Sequence, residues 1–219
     1  MSLIHRTDRL VVVAAICLAG LAACAARADA VGVAGQVSDV AGNVQIEHAG
    51  AMTPAQDGAN LAAGDSLVVG ADSHARFKTA DGAVFSLMSD TRFTVAQYQF
   101  DPGSGGARPA AAALYRVDHG VVRTTTGSIG KSKGDNYLMS TPDGDVQVHG
   151  TDYQVEVRDG LAVTVFRGVV TVSNEVGSVN VSAGQLTYTA GRKYPLHVNL
   201  VIDIQPGSWP PLTIRASAS

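Results

Sequence analysis

From residue 44 onward the chain alternates apolar and polar positions with a period of two, the pattern of strands that bury one face. Val44-Gln-Ile46 begins the series, and Arg76-Phe-Lys-Thr79, Phe93-Thr-Val95, Val146-Gln-Val148 and Tyr153-Gln-Val155-Glu-Val157 follow. Val163-Thr-Val165, Val170-Thr-Val172, Val179-Asn-Val181 and Leu186-Thr-Tyr188 continue it, and the longest run spans Leu196 to Ile204. Turn signals separate these runs at Ala41-Gly42-Asn43, Gly64-Asp65, Asp81-Gly82, Asp143-Gly144, Asp159-Gly160, Arg167-Gly168 and Ala183-Gly184. The one helical candidate after the N-terminal segment is Pro109–Val117, with Pro at the first helical position. The pattern predicts an all-β chain of about a dozen short strands.

Two stretches are copies of one unit. Thr79–Val95 and Thr141–Val157 align without a gap, 62 residues apart. Thr79/Thr141, Asp81/Asp143, Gly82/Gly144, Val84/Val146, Asp90/Asp152 and Val95/Val157 coincide, and Phe93 aligns with Val155. Each copy sets an Asp-Gly turn between extended segments, so the repeated unit is strand–turn–strand. The expected architecture is a solenoid-like or sandwich-like stack of short strands built from that unit. Asp81, Gly82, Asp143, Gly144, Gly150 and Thr151 are its structural turn positions. Function is expected where the copies differ: Gly150-Thr151 against Met88-Ser89, Tyr153 against Thr91, and the loop between them.

Two segments interrupt the alternation. Residues 101–113 (DPGSGGARPAAAA) read as a loop or linker dividing the copies, and 131–135 (KSKGD) as a second polar loop. The tail, 205–219, contains Pro210-Pro211, which no central strand accommodates. Trp209, the only Trp, either caps the end of the β stack or is an exposed docking side chain. The β domain is therefore expected over 36–204.

The N-terminus reads as an export signal. Arg6 and Arg9 precede the apolar run Leu10–Leu21. A membrane anchor is the competing reading, since Leu10–Ala26 carries no charge, but that run is at the lower limit for a spanning helix. Ala26-Arg27-Ala28 suits ordinary cleavage after residue 28, whereas Leu21-Ala22-Ala23-Cys24 looks like a lipobox, with lipidation at Cys24 after a signal ending at 23. The expected address is the periplasm, or the outer membrane by way of a lipid anchor. Cys17 and Cys24 are the only cysteines and both lie in this segment, so no disulfide framework is expected.

Composition narrows the function classes. Apolar residues make up 46% and charged residues 16%, which fits a folded core rather than a disordered chain. Aromatics are only 5%, so Val and Ala are expected to fill that core. The formal net charge is −3 with no basic run, and a nucleic-acid partner is not expected. The six His residues stand singly, without metal-ligand spacing, and no metal or other cofactor is expected. Gly127-Ser-Ile-Gly130-Lys131-Ser132 lacks the first Gly of a phosphate-binding loop, because Thr125 stands there. Among the acids, Asp145 with Glu156 is the first pair a hydrolase would use.

Leu61–Gly70, the Asp81-Gly82 turn, Ser140–Val155, Val163–Val172 and Ala183-Gly184-Gln185, in that order, resemble the FecR-type domain. Leu61–Gly70 is similar to that family's Gly-Asp-x-Ile-x-Thr-Gly element, followed by the Asp81-Gly82 turn. Ser140–Val155 looks like its Thr-Pro-x-Gly, strand, Gly-Thr, strand signature. Val163–Val172 and Ala183-Gly184-Gln185 match its closing elements. The resemblance covers about Gly42 to Ala190, and at His149 the family often has Arg. It implies an extracytoplasmic β domain, and its best-known members relay the state of an outer-membrane transporter to a sigma factor. Here nine residues precede the apolar segment and little follows Leu200. The expectation is a stand-alone exported member lacking the cytoplasmic anti-sigma region.

These features point to a non-enzymatic exported protein that binds a protein or polymer partner in the cell envelope through its loops, the 101–113 loop above all, and its strand edges, with signalling as one role. Tyr153, His149 and Trp209 are the candidate partner-binding residues. A carbohydrate-active hydrolase and a structural or assembly component are the competing classes. Any membrane contact would come through the lipid on Cys24.

Overall fold

A computed structural model describes residues 32–100, 111–132 and 136–200, the side chain of Leu200 excepted. The signal segment with Cys24, most of the 101–113 loop and the tail with Trp209 lie outside the described residues. The described residues form seventeen strands and one short helix. The strands are β1 (Val33–Ala41), β2 (Val44–His48), β3 (Ala51–Pro54), β4 (Asn60–Ala62), β5 (Ser66–Val69), β6 (His74–Thr79), β7 (Val84–Leu87) and β8 (Thr91–Gln99). They continue as β9 (Ala112–Thr125), β10 (Tyr137–Ser140), β11 (Asp145–Val148), β12 (Asp152–Val157), β13 (Leu161–Arg167) and β14 (Val169–Ser173). The last are β15 (Ser178–Ser182), β16 (Gln185–Thr189) and β17 (His197–Leu200), and helix α1 (Ser128–Lys131) lies between β9 and β10.

The strands form two open sheets. Sheet I runs β4-β1-β6-β7-β9-β12-β13-β16-β17. Sheet II runs β3-β2-β5-β8-β9-β10-β11-β14-β15. All these pairings are antiparallel except β9 with β10. The two copies of the repeat occupy opposite sheets. The first copy's hairpin β6–β7 lies in sheet I and its third strand β8 in sheet II. In the second copy the hairpin β10–β11 lies in sheet II and β12 in sheet I. Equivalent strands therefore do not stack in one parallel column, and the repeat builds two layers.

What joins the layers is a strand that changes sheet. Ala112–His119 of β9 pairs with β8 in sheet II, and Gly120–Thr125 pairs with β7 and β12 in sheet I. The bend falls at Gly120, whose φ of +100° is a left-handed conformation that side-chain-bearing residues rarely adopt. A Cβ there would stand 2.3 Å from Thr91 Oγ1 and 2.5 Å from the Asp90 carbonyl oxygen. The same device recurs where β13 passes into β14 at Gly168 and where β1 passes into β2 at Gly42. Strands that switch sheets at bends are how two packed sheets make corners.

The core lies between the sheets. Val residues supply much of it, as the low aromatic content suggests, including Val37, Val95, Val146, Val155, Val163, Val165, Val170 and Val172. The few aromatics are concentrated at its centre. Phe85 of sheet I packs 4.9 Å from Phe93 and 4.6 Å from Tyr115, ring centre to ring centre, and both partners belong to sheet II. Phe77 and Tyr137 extend the cluster on either side.

The helical candidate Pro109–Val117 is corrected. Within the described part, Ala112 already belongs to β9, and Ala113, Tyr115 and Val117 alternate inward. Helix propensity of an Ala run amounts to tenths of a kcal/mol per residue, and burying Tyr115 with its neighbours outweighs it. Thr125, Gly127 and Lys131, which fail as a phosphate loop, instead end β9 and form the single turn of α1.

Candidate interaction surface

The Asp-Gly turn of the first copy is fastened by the segment after β9. Thr79 Oγ1 accepts from Ala83 N at 3.0 Å and donates to Asp81, closing the turn. Asp81 Oδ2 accepts from Ile129 N at 3.0 Å, and its carbonyl oxygen accepts from Ser128 N at 3.0 Å. Tyr98 Oη accepts from Asp81 N at 2.8 Å. The same segment holds the second copy. Thr126 Oγ1 accepts from Thr151 N at 2.9 Å, and Gly130 O accepts from Gly150 N. Residues 126–130 thus bridge Asp81-Gly82 of one copy to Gly150-Thr151 of the other. Gly127 leaves no room for a Cβ, which would fall 2.4 Å from Asp81 Oδ2.

The second copy's Asp-Gly turn has a different fastening. Thr141 Oγ1 accepts from Asp143 N and Gly144 N and donates to the Gly144 carbonyl at 2.7 Å. Arg192 then clasps the turn from outside, donating to the Thr141 and Pro142 carbonyls and to both oxygens of Asp145. Burial pushes the Asp145 carboxyl up, but the bonds from Arg192 and Ser140 and the Arg192 charge outweigh it and hold it below its usual value. A depressed carboxylate stabilises the fold above its unfolded pKa and loses that contribution as pH falls through the folded one. Arg192→Ala is therefore expected to cost on the order of 1–2 kcal/mol near pH 7. The part owed to the Asp145 charge should be present above the ordinary carboxylate range and be lost as pH falls through the lowered folded-state pKa. Urea unfolding of both chains at a series of pH values measures it.

The candidate residues divide by depth. Tyr153, expected at a partner surface, is buried and is corrected: its side chain points between the sheets, and its hydroxyl meets Tyr137 Oη at 2.8 Å. Burial raises both phenols above their ordinary value. Thr151 is also buried, while Gly150 bends at φ +73° and His149 beside it is exposed. Asp145 and Glu156 do not come together. Asp145 precedes core residue Val146 and so faces outward from sheet II, whereas Glu156 stands between core residues Val155 and Val157 and faces outward from sheet I. Glu156 pairs with Arg158 at 3.2 Å, and burial raises its carboxyl despite that arginine. The acids of the hydrolase reading thus lie on opposite outer faces.

Two charged clusters left no signal in the sequence. On the outer face of sheet II, Arg92 joins Glu47 to Asp118, and Asp118 also holds Arg116 Nε at 2.9 Å. On the outer face of sheet I, Arg123 is buried against Asp152, with Nε–Oδ1 at 3.0 Å and Nη2–Oδ2 at 3.1 Å. Its guanidinium also lies 4.2 Å from the Phe166 ring centre. Asp152 therefore holds an ion pair, whereas its counterpart Asp90 makes a corner at φ +56°. Among the described residues no cluster of three His, Cys, Asp or Glu could hold a metal, and no helix is long and apolar enough to cross a membrane.

Comparison with solved structures gives two crystal structures of a candidate anti-sigma factor from Parabacteroides distasonis. Their TM-scores are 0.50 and 0.51 at 16% identity, and each match covers 62% of this chain and 59% of the other. The chain thus spans less than two thirds of that protein, and the likeness is one of fold. No curated protein matches the chain. Residues 65–171, from the Asp65 turn into β14, match the family model described as FecR protein.

Proposed function

We infer that this chain is a non-enzymatic FecR-domain protein that binds a protein or polymer partner in the bacterial cell envelope and takes part in signalling. The observation that carries this reading is the FecR match over residues 65–171. The fold shared with a protein described as a candidate anti-sigma factor supports it. Arg6, Arg9 and the apolar run behind them support export to the periplasm or, through lipid on Cys24, attachment to the outer membrane. The binding surface is sought at exposed His149 and along the Glu47–Arg92–Asp118–Arg116 strip, where paired charges of both signs can orient a polar partner.

A photo-crosslinking side chain placed at position 149 or 116, in cells producing the full chain, should capture one reproducible envelope component. Failure at both positions would overturn the reading. The mass of the mature chain decides the address: an N-terminus at Asp29 means free export, and acylated Cys24 means a lipid anchor.

A further inference from the structure

We propose that the chain associates with a second copy of itself through β15, the two strands pairing antiparallel about a two-fold axis at Asn180. The described pairings leave four sheet edges: β3, β4, β15 and β17. β3 ends in Pro54 and β4 has three residues, both of which discourage edge pairing. β15 has neither protection. Its five residues, Ser178-Val179-Asn180-Val181-Ser182, include no charge and no Pro.

That sequence reads the same in both directions. About an axis at Asn180, Ser178 faces Ser182, Val179 faces Val181, and Asn180 faces itself. The hydrogen-bond phase agrees with this register. Asn174 N donates to Gly177 O, and Ala183 N donates to Gly168 O. In the antiparallel alternation between those points, Val179 and Val181 turn their backbone groups toward β14. Ser178, Asn180 and Ser182 turn theirs to the open edge, where Ser182 N takes Gln185 Oε1 at 2.8 Å. With the Ser182 N–H held by Gln185, the remaining groups at the edge are those an axis at Asn180 requires. The two Asn180 residues exchange N–H and C=O, and each Ser178 N–H meets the other copy's Ser182 carbonyl. Val181 is buried and Val179 borders the core, so pairing also continues the apolar inner layer across the axis.

Facing residues of a hydrogen-bonded antiparallel pair have Cα atoms about 5.5 Å apart, within disulfide reach. Full-length Asn180→Cys under mild oxidation should therefore give a covalent dimer above the background set by Cys17 and Cys24 in the unaltered chain. Glu175→Cys, exposed but well off the axis, should stay at background. Equal crosslinking at both positions, or none at 180, overturns the proposal. Asn180→Pro removes an N–H that faces away from β14 and should leave thermal unfolding nearly unchanged. In sedimentation it should weaken self-association at least about tenfold, the scale of two lost hydrogen bonds. A monomeric unaltered chain at about 0.5 mM, far above the concentration where specific complexes form, also overturns it. So does an edge that captures a foreign strand while the chain stays monomeric.

Discussion

Gly120→Ala is expected to lower the unfolding free energy by about 3–5 kcal/mol, a large fraction of what a domain has. Two costs combine. The backbone at φ +100° strains any residue with a Cβ. The added carbon would also lie 2.3 Å from Thr91 Oγ1 and 2.5 Å from Thr91 Cα. Neither neighbour yields easily, because Thr91 Oγ1 also accepts from Val121 N at 3.0 Å in the same corner. Gly184→Ala separates the two costs: its φ is +82°, but nothing lies within 4 Å of the added carbon. That variant should lose only about 1–2 kcal/mol. Urea midpoints at equal slope give both values. If Gly120→Ala cost no more than Gly184→Ala, the close-packed corner would not be what fixes the path of β9 between the sheets.

Phe85→Ala should cost about 3–5 kcal/mol, with a fall in Tm of about 2–4 °C per kcal/mol for a domain of this size. Phe85 is fully buried and touches Phe77 within sheet I and Phe93 and Tyr115 of sheet II. Removing it opens a cavity in the layer where the sheets meet, lined by rings that two strands of sheet II hold in place. Phe85→Leu, which keeps an apolar side chain there, should lose no more than about 2 kcal/mol. Calorimetry that found the two variants equally stable would mean the cluster closes around the gap, and that the sheets are not held by its shape.

Much of the fold was legible because its cause is local. A residue's neighbours two positions away share its sheet face, so the runs at 44–46, 76–79, 146–148 and 163–165 announce strands directly. Asp81-Gly82 and Asp143-Gly144 mark the ends of hairpins for a similar reason, since each turn is closed by a Thr two residues before the Asp. Strand β9 was less legible. Its Ala-rich start satisfies a helix as well as a strand, and only Tyr115 packing onto Phe85 and Phe93 decides between them. Its corner did leave a trace, because His119-Gly120-Val-Val and Arg167-Gly168-Val-Val repeat one another at equivalent bends. The Gly168 signal reads as an ordinary turn when taken alone.

The surface was hardly legible. Arg123 and Asp152, or Glu47, Arg92 and Asp118, are far apart in sequence and meet only through strand register. Tyr153 shows the converse: a difference between two repeat copies marked it for binding, yet the alternation that makes β12 a strand turns that side chain inward.

Local sequence is enough for the β class and the two Asp-Gly turns, because each depends on residues within a few positions, and the doubled unit shows when Thr79–Val95 is aligned with Thr141–Val157. Only the three-dimensional pairing puts the hairpins of the two copies in opposite sheets, turns Asp145 and Glu156 apart and leaves particular residues outside. Those outcomes depend on which strands pair and where they bend. That choice is made by long-range hydrogen bonding and by burial of the Phe and Tyr cluster, which no short window of the chain contains.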